Sequence, residues 1–422
     1  MGKFRIKTVF ILMVSSLLIL SGCQKKDEGV TVDLFNIKVE TAPQLEELAK
    51  LYEKQHEGTK INITTVGGGE DAAAALQAKF SSGDEPSIFM LEGTSSADKW
   101  QDKLLELNEF KLNELVFPGF ADAVTLDDKV LGMPVNLEGY GLLINKELFK
   151  KAGIDYETID SYEAFVSAVE TLDSKKEDLG IEAVFGFSGK EHWVVSQYSA
   201  AFMAPEFDND IINAFNAKEL DMKYSDDFKN YTDLINKYNL QPILNIDYST
   251  SVEEKFIGEK VAIIHQGNWI EPTLNSMSEE FAADKLAIVP TFVGDYKPRI
   301  VVGPPFYWGI NKTKDEKIIE ASKDFLEWMY TNEEAKKMVV NEFKYIPAYS
   351  SFEEDNDMSP LAKEILKYVS DGNTVPWIHN GYPDGYGQTI MFPEIQKYFD
   401  GQVSWDEFET TMKTKWQEER GK

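Results

Sequence analysis

Two rhythms of apolar positions alternate over the first hundred residues. Residues 31–35, 61–66 and 87–91 are short runs rich in β-branched and apolar side chains, the pattern of buried or half-buried strands. Between the first two, Leu45, Leu48, Ala49 and Tyr52 recur at the i, i+3, i+4, i+7 spacing behind Pro43, which predicts a helix over 43–54. A second helix is predicted over 71–80. Strands alternating with helices predict a parallel sheet flanked by helices and joined by right-handed crossovers. Ligands bind such sheets beyond the carboxyl ends of the strands. That rule points to three loops: Asn36-Ile37-Lys38, Gly67-Gly68-Gly69 and Glu92-Gly93-Thr94.

The pattern breaks at residues 131–146. Pro134 biases Met133 to an extended backbone, Gly139 and Gly141 bracket Tyr140, and Leu142-Leu143-Ile144 is a short buried-strand run. The stretch predicts a passage from one lobe to another. Glu138 stands within it as a carboxylate that must be satisfied internally or by a ligand. Beyond it, Asn145 opens a helix closed by Gly153, with Lys150 and Lys151 in the last turn. Asp160 is the expected cap of the next helix, with Glu163 reaching back and Phe165, Val169 and Leu172 on its buried stripe. A strand over 261–264 runs into Gly267 and Trp269, so a loop at a strand end delivers the indole. Residues 286–291 form a return strand, 301–310 follow with Gly303 and Trp308, and 321–330 are an amphipathic helix.

Length and charge narrow the classes. A chain of 422 residues can build two lobes, each with its own core. The net charge of -29 is spread along the chain, which argues against nucleic acid and anionic surfaces as partners. Lys3, Arg5 and Lys7 precede an apolar run over 9–20 that is short for a membrane span, the pattern of a secretory signal. The run ends in Leu20-Ser21-Gly22-Cys23, and Cys23 is the single cysteine, leaving no disulfide, thiolate metal cluster or catalytic thiol for the mature fold.

Catalytic patterns are sparse. His56, His192, His265 and His379 are far apart and show no metal-binding spacing. No Lys-Ser or Lys-Thr follows Gly67 to Gly69 at the P-loop interval. Ser188 lacks the glycine register of a nucleophile elbow. Aromatic residues stand out instead: Trp193, Trp269, Trp308, Trp377, Tyr382 and Tyr386 are the expected loop aromatics, grouped around glycines and prolines. Such rings offer flat faces to sugars while neighbouring carboxylates and amides reach hydroxyls. Any one of the six can equally belong to a core.

With these residues in view, the chain resembles the extracellular solute-binding proteins of ABC importers, in the sugar-binding branch that includes maltose-binding protein. The resemblance rests on Gly132-Met133-Pro134 through Tyr140 to Gly153, on Lys260-Val261-Ala262 to Gly267-Asn268-Trp269, on Pro290-Thr291-Phe292, on Ala321 to Leu326, and on Gly401 to Glu407. It implies an α/β fold of two lobes, each a mostly parallel sheet flanked by helices, joined by hinge crossings. The implied divisions are a lipoprotein signal over 1–22, a tether over 23–30, one lobe over 31–138 and 291–343, and another over 142–289 and 344–422. Hinges are then expected near 139–141, 290 and 343. The resemblance carries sugar-binding roles onto Glu138 and Trp269, and places Trp193, Asn36 and Glu92 at the ligand, although the charged residues of the family's first-lobe loops are not all matched. Gly303, Trp377 and Tyr382 complete the expected site. Cys23 is the expected lipidation point. The implied protein is a monomeric, membrane-tethered carbohydrate receptor that captures an oligosaccharide and delivers it to an ABC permease, with no cofactor, no metal and no catalysis. The competing classes are a receptor for a non-sugar solute and a secreted glycoside hydrolase.

Overall fold

A computed structural model describes residues 29–67, 71–352 and 358–421. The expected signal, Cys23, most of the tether, Gly68 and Gly69, and the acidic loop over 353–357 lie outside the described residues. Among the described residues, no helix is long and apolar enough to cross a membrane.

Strands β1 (Val30–Asn36), β2 (Thr59–Thr65), β3 (Ile88–Leu91) and β4 (Met133–Pro134) belong to a first sheet. Strands β5 (Glu138–Asn145), β6 (Ala183–Phe185), β7 (Val261–Gly267), β8 (Leu286–Val289) and β9 (Ile300–Gly303) belong to a second. Then β10 (Tyr307–Ile310) returns to the first sheet, and β11 (Thr374–Val375) lies at the edge of the second. The first sheet has the order β2-β1-β3-β10-β4; the second runs β11-β9-β5-β7-β6, with β8 also on β5. Two lobes result, as expected.

Both sheets are mixed, where mostly parallel sheets were expected. β1 is parallel to β2 and β3, whereas β10 is antiparallel to β3 and β4. β5 is antiparallel to β7, β8 and β9. The physical reason is connectivity. A strand that arrives from the other lobe needs no crossover helix, so it can enter its sheet against the local direction.

Sheet membership changes over 135–137 and again over 304–306, in place of the passages expected at 139–141 and 290. Gly139 and Gly141 are buried within β5, in register with β9 and β7. Gly139 answers to a close approach: a Cβ there would lie 2.7 Å from Ile365 Cγ2. Residues 286–303 stay on the second sheet, tied by the Thr291–Arg299 bridge. The segment after 343 also stays with the first lobe, since Leu137 N–H donates to the Ile346 carbonyl at 2.7 Å and Ser350 N–H to the Leu115 carbonyl at 2.7 Å.

The helices that frame the cleft follow their sequence signals. Helix α1 (Ala42–Gln55) buries Leu45, Leu48, Ala49 and Tyr52, the predicted stripe. Helix α2 (Thr94–Trp100) starts beyond β3. Helix α3 (Lys146–Ala152) is capped by Asn145 Oδ1 and closed by Gly153 at φ 78°. Helix α4 (Tyr162–Ser174) buries Phe165, Val169 and Leu172, but its cap is Ser161, whose Oγ accepts from Ala164 N–H, and not Asp160. Ser161 is the last extended residue before the helix, so its hydroxyl is the one in reach. Helices α5 (His192–Tyr198), α6 (Ile211–Asn216) and α7 (Glu271–Met277) line the second lobe's side of the cleft, and α8 (Pro360–Ser370) packs over β8 and β9.

Candidate ligand cleft

Strand β7 ends at Gly267, and the Trp269 indole folds back over that residue. A Cβ on Gly267 would sit 2.3 Å from Trp269 Cζ3, so only glycine admits this ring position. Trp269 Nε1 donates to Gln266 Oε1 at 2.8 Å, which fixes the ring plane. Three more aromatics gather around it: Tyr140 at 5.7 Å between centroids, Trp377 at 6.0 Å and Trp193 at 6.0 Å. Trp193 and Trp269 are half-buried, whereas Tyr140 and Trp377 form the layer behind them. Trp377 meets Tyr140 edge-on at 5.0 Å and donates its Nε1–H to the Glu138 carbonyl at 3.2 Å. Gly303 pairs with Glu138 across the sheet, and a Cβ on it would meet Trp377 Cδ1 at 3.2 Å, so this glycine makes room for the indole.

The charged side of the cleft comes from the first lobe. Asn36 at the end of β1 accepts from Lys38 N–H at 3.1 Å and donates to the Lys38 carbonyl at 3.0 Å and to Thr65 Oγ1 at 3.1 Å. Its side chain is therefore spent on shaping the loop. The loop delivers Lys38, whose buried ammonium lies 2.5 Å from Glu138 Oε1 and 2.6 Å from Glu40 Oε1. Burial pulls the Lys38 pKa down, but Glu138 and Glu40 outweigh it and hold the ammonium well above its ordinary value. Burial likewise pushes Glu138 upward, against the pull of Lys38 and an Asn136 amide that donates at 3.1 Å. A pair this close and this enclosed stays ionised because each partner would be costly alone.

Glu92 follows β3 where the lobes meet. It is open to solvent yet crowded by protein on its other sides; burial, then the like charges of Asp384 and Asp71, raise its pKa against Lys99. Beside it, Gly93 has φ 112°, and a Cβ there would stand 2.7 Å from Asn380 Cβ of the second lobe. Ser95 Oγ donates to the Tyr382 carbonyl at 2.8 Å, another bond between lobes. The Tyr382 ring itself turns into the second-lobe core, with its hydroxyl near Met203 Sδ at 3.0 Å and its face toward Trp416. Trp308 and Tyr386 are core residues as well: the Trp308 Nε1–H donates to Tyr330 at 2.9 Å, and the Tyr386 hydroxyl to the Met412 carbonyl at 2.7 Å.

Of the expected residues, the structure thus brings Glu138, Trp193, Trp269, Gly303 and Trp377 together, with Asn36 one step behind through Lys38. Glu92 stands at the opposite rim. The sequence reading placed Lys38 in a loop facing the cleft without giving it a role, and gave none to Gln197, Gln266, Asn136 or Asn380. Their signals are spacing signals: Gln197 is one helical turn beyond Trp193, Gln266 is three residues before Trp269, and Lys38 lies just past a strand end. Buried atoms without a protein partner include Asn136 Oδ1, Gln197 Oε1, Gln266 Nε2, Asn380 Nδ2 and Thr94 Oγ1. Buried polar atoms are ordinarily bonded, so each of these departs from the usual pattern. Only a small crevice remains between Lys38, Glu138, Asn268, Trp269 and Tyr345. No group of three or more metal-ligating side chains occurs among the described residues.

These features define a two-lobed binding protein whose cleft is walled by aromatics and charge-paired polar groups. Residues 47–364 match the bacterial extracellular solute-binding protein family, and the chain belongs to that family. It is 26% identical over 179 residues to the multiple sugar-binding protein of Streptococcus mutans, a match spanning 42% of this chain and 40% of that protein. It is 27% identical over 238 residues to an uncharacterised ABC transporter extracellular-binding protein of Pyrococcus horikoshii, spanning 53% of each. The chain therefore matches about half or less of the length of these curated relatives. Among solved structures, it superposes on a chitin oligosaccharide binding protein with a TM-score of 0.77 at 21% identity, covering 94% of this chain and 100% of that one. Superposition on the solute-binding protein RafE in complex with raffinose gives a TM-score of 0.75 at 18% identity, covering 93% and 100%. These likenesses establish the fold.

Proposed function

We propose that this solute-binding protein captures a carbohydrate, specifically an oligosaccharide, between its lobes and passes it to the permease of an ABC transporter, with no chemistry on the ligand. The observation that carries the reading is the wall of Trp193, Trp269, Trp377 and Tyr140 set beside unpartnered amides and the Lys38–Glu138 pair. Indole faces take the apolar faces of sugar rings, and the amides take hydroxyls. Because Glu138 and Glu40 already satisfy the Lys38 charge, this part of the cleft leaves no free cation for an anionic ligand and suits an uncharged polyol. Charge-assisted hydrogen bonds contribute about 1.5–3 kcal/mol each, and micromolar binding requires only about 8 kcal/mol net. A few well-placed groups suffice. The name of the Streptococcus mutans relative and the raffinose complex of a structural neighbour support the same ligand class.

The lobes would hinge at 135–137 and 304–306. Cys23 would carry the lipid that holds the receptor at the outer face of the cell membrane, in keeping with the extracellular family. The test is calorimetric titration with a panel of oligosaccharides, alongside peptides and amines. Trp269→Ala should weaken the best sugar by about tenfold or more, which is about 1.4 kcal/mol, while circular dichroism stays unchanged. Unaltered affinity would remove Trp269 from the site, and binding of only peptides or amines would overturn the sugar reading.

A further inference from the structure

Behind the aromatic wall, the second lobe holds a carboxyl group that no donor satisfies. Glu271 opens α7 just past Trp269, is 1% exposed, and has both carboxyl oxygens buried without a hydrogen-bond partner. Its backbone carbonyl is used, accepting from Asn275 Nδ2 at 2.8 Å, so the deficit is confined to the side chain. An ionised carboxylate enclosed without a donor is strongly disfavoured, and the neutral acid is the stable form.

The groups around this carboxyl come from both lobes. Pro272, next in the chain, lines the crevice between the lobes together with Glu40, Phe343 and Lys344, and α7 touches residues 39–41 of the first lobe. Lys344 belongs to the first lobe, because its neighbours Phe343 and Tyr345 donate their N–H groups to the carbonyls of Met338 and Val339 at 3.0 and 3.1 Å. Ser359 belongs to the second, where its Oγ caps α8 by accepting from Ala362 N–H at 3.0 Å. Glu271 therefore sits between a first-lobe lysine and a second-lobe helix cap.

Most other titratable groups on these elements are already engaged. Lys38 and Glu40 pair with one another and with Glu138, and the Tyr345 hydroxyl shares a hydrogen bond with Thr41 at 2.8 Å. Tyr248, beside Thr273 of α7, is pushed up to about 12 by burial, and Lys285, on the turn packed against α7, pairs with Glu259. Lys344 is half-buried and makes no ion pair among the described residues. Burial nonetheless outweighs Ser359 and Lys344 and raises the Glu271 pKa to about 7.

We propose that the lobes close on Glu271 as a neutral acid and that its ionisation favours the open form, so that closure is a proton-coupled step. On opening, Lys344 and the loop over 39–41 move away from α7 and water reaches the carboxyl, which then titrates near its ordinary 4.5. The contribution to closure is fully present below that value, falls as pH rises, and is lost above about 7. One proton linked in this way lowers the closed-to-open ratio about thirtyfold between about pH 5.5 and about pH 8.5. The inference rests on the hinge motion proposed above and not on the identity of the ligand.

The test is small-angle scattering on the unliganded protein at those two pH values, in about 0.5 M salt so that repulsion among its many surface carboxylates is screened. The wild type should show a larger radius of gyration at the higher pH, with the closed-to-open ratio from two-state fits falling about thirtyfold. Glu271→Gln and Glu271→Met, each checked by circular dichroism, should keep one radius at both pH values. A wild-type radius that does not change with pH overturns the inference, and so does an equal expansion in either folded variant. Neither result bears on the sugar reading, which the calorimetric panel tests with ligand present.

Discussion

Lys38 and Glu138 are separated by 100 residues in the chain and by 2.5 Å in the fold, and their neighbours explain why both must be present. Lys38 is 3% exposed and Glu138 is 3% exposed, so removing Lys38 leaves the Glu138 carboxylate enclosed without its counter-ion, whereas Lys38 would keep Glu40. Lys38→Met should lower stability to denaturant by about 3–5 kcal/mol. Adding Glu138→Leu to that variant should recover much of the loss; no recovery in the double variant would show that the pair is not the source. Glu271 presents the opposite situation. It is 1% exposed, neither carboxylate oxygen meets the geometric criteria for a hydrogen bond, and burial raises its pKa to about 7 against the weaker pull of Ser359 and Lys344. The folded state therefore holds this proton more tightly than the unfolded chain, whose carboxyl titrates near 4.5. The stabilisation is fully present below that lower value, falls as pH rises, and is lost above about 7, a change of about 3 kcal/mol. The difference in melting temperature between Glu271→Gln and the wild type should itself change with pH between those limits. A difference that stays constant would place the proton elsewhere. His265 and His379, both lowered to about 3 by burial, contribute the opposite slope, because below about 6.5 the unfolded imidazoles take up protons that the folded ones do not.

Strand β5 shows how one element serves several roles. Its first residue is the Lys38 partner, Gly139 admits Ile365 of α8, Tyr140 backs the indole wall, and Leu142 to Ile144 fill the cores on both faces of the sheet. The apolar run and the helix after it were legible because each depends on near neighbours. The two glycines were harder to interpret. Glycine marks either backbone freedom or close approach, and only the position of Ile365 distinguishes them. The six aromatics expected in loops divided for a similar reason, with Trp193 lying in α5 and Trp308 in β10. Trp193, Trp269 and Trp377 form the wall, whereas Trp308, Tyr382 and Tyr386 turn their rings into cores. A neighbouring glycine or proline locates a bend in the chain but leaves open which way the side chain points. In Trp308 the alternation of β10 decides, sending the ring against Tyr330.

At the scale of the molecule, contacts between lobes close both rims of the cleft. One rim joins α2 to α6 and to Tyr382 through Ser95, and brings Gly93 against Asn380; the other joins Lys38 to Glu138. Closure with so little space requires that the lobes separate to admit a ligand, a hinge motion of the kind two-lobed binding proteins use. Gly93→Leu should obstruct the first rim, since its left-handed backbone disfavours any Cβ and Asn380 occupies the space. Small-angle scattering with saturating ligand should then show a larger radius of gyration than the wild type, together with weaker binding. Equal compaction would mean that this rim yields easily.

The sequence by itself determined the alternation of strands and helices, the helix cap at Asn145, the burial stripes of α1 and α4, and the delivery of Trp269 from a strand end. Each of these follows from residues within one or two turns of one another, where backbone geometry fixes which side chains can meet. The tertiary structure alone decided where the chain changes lobes, how β5 and β10 run within their sheets, that Asn36 serves Lys38, and that Lys38 closes on Glu138. Those outcomes depend on register and packing between segments far apart in the chain, and a local pattern of polar and apolar positions is compatible with several such pairings.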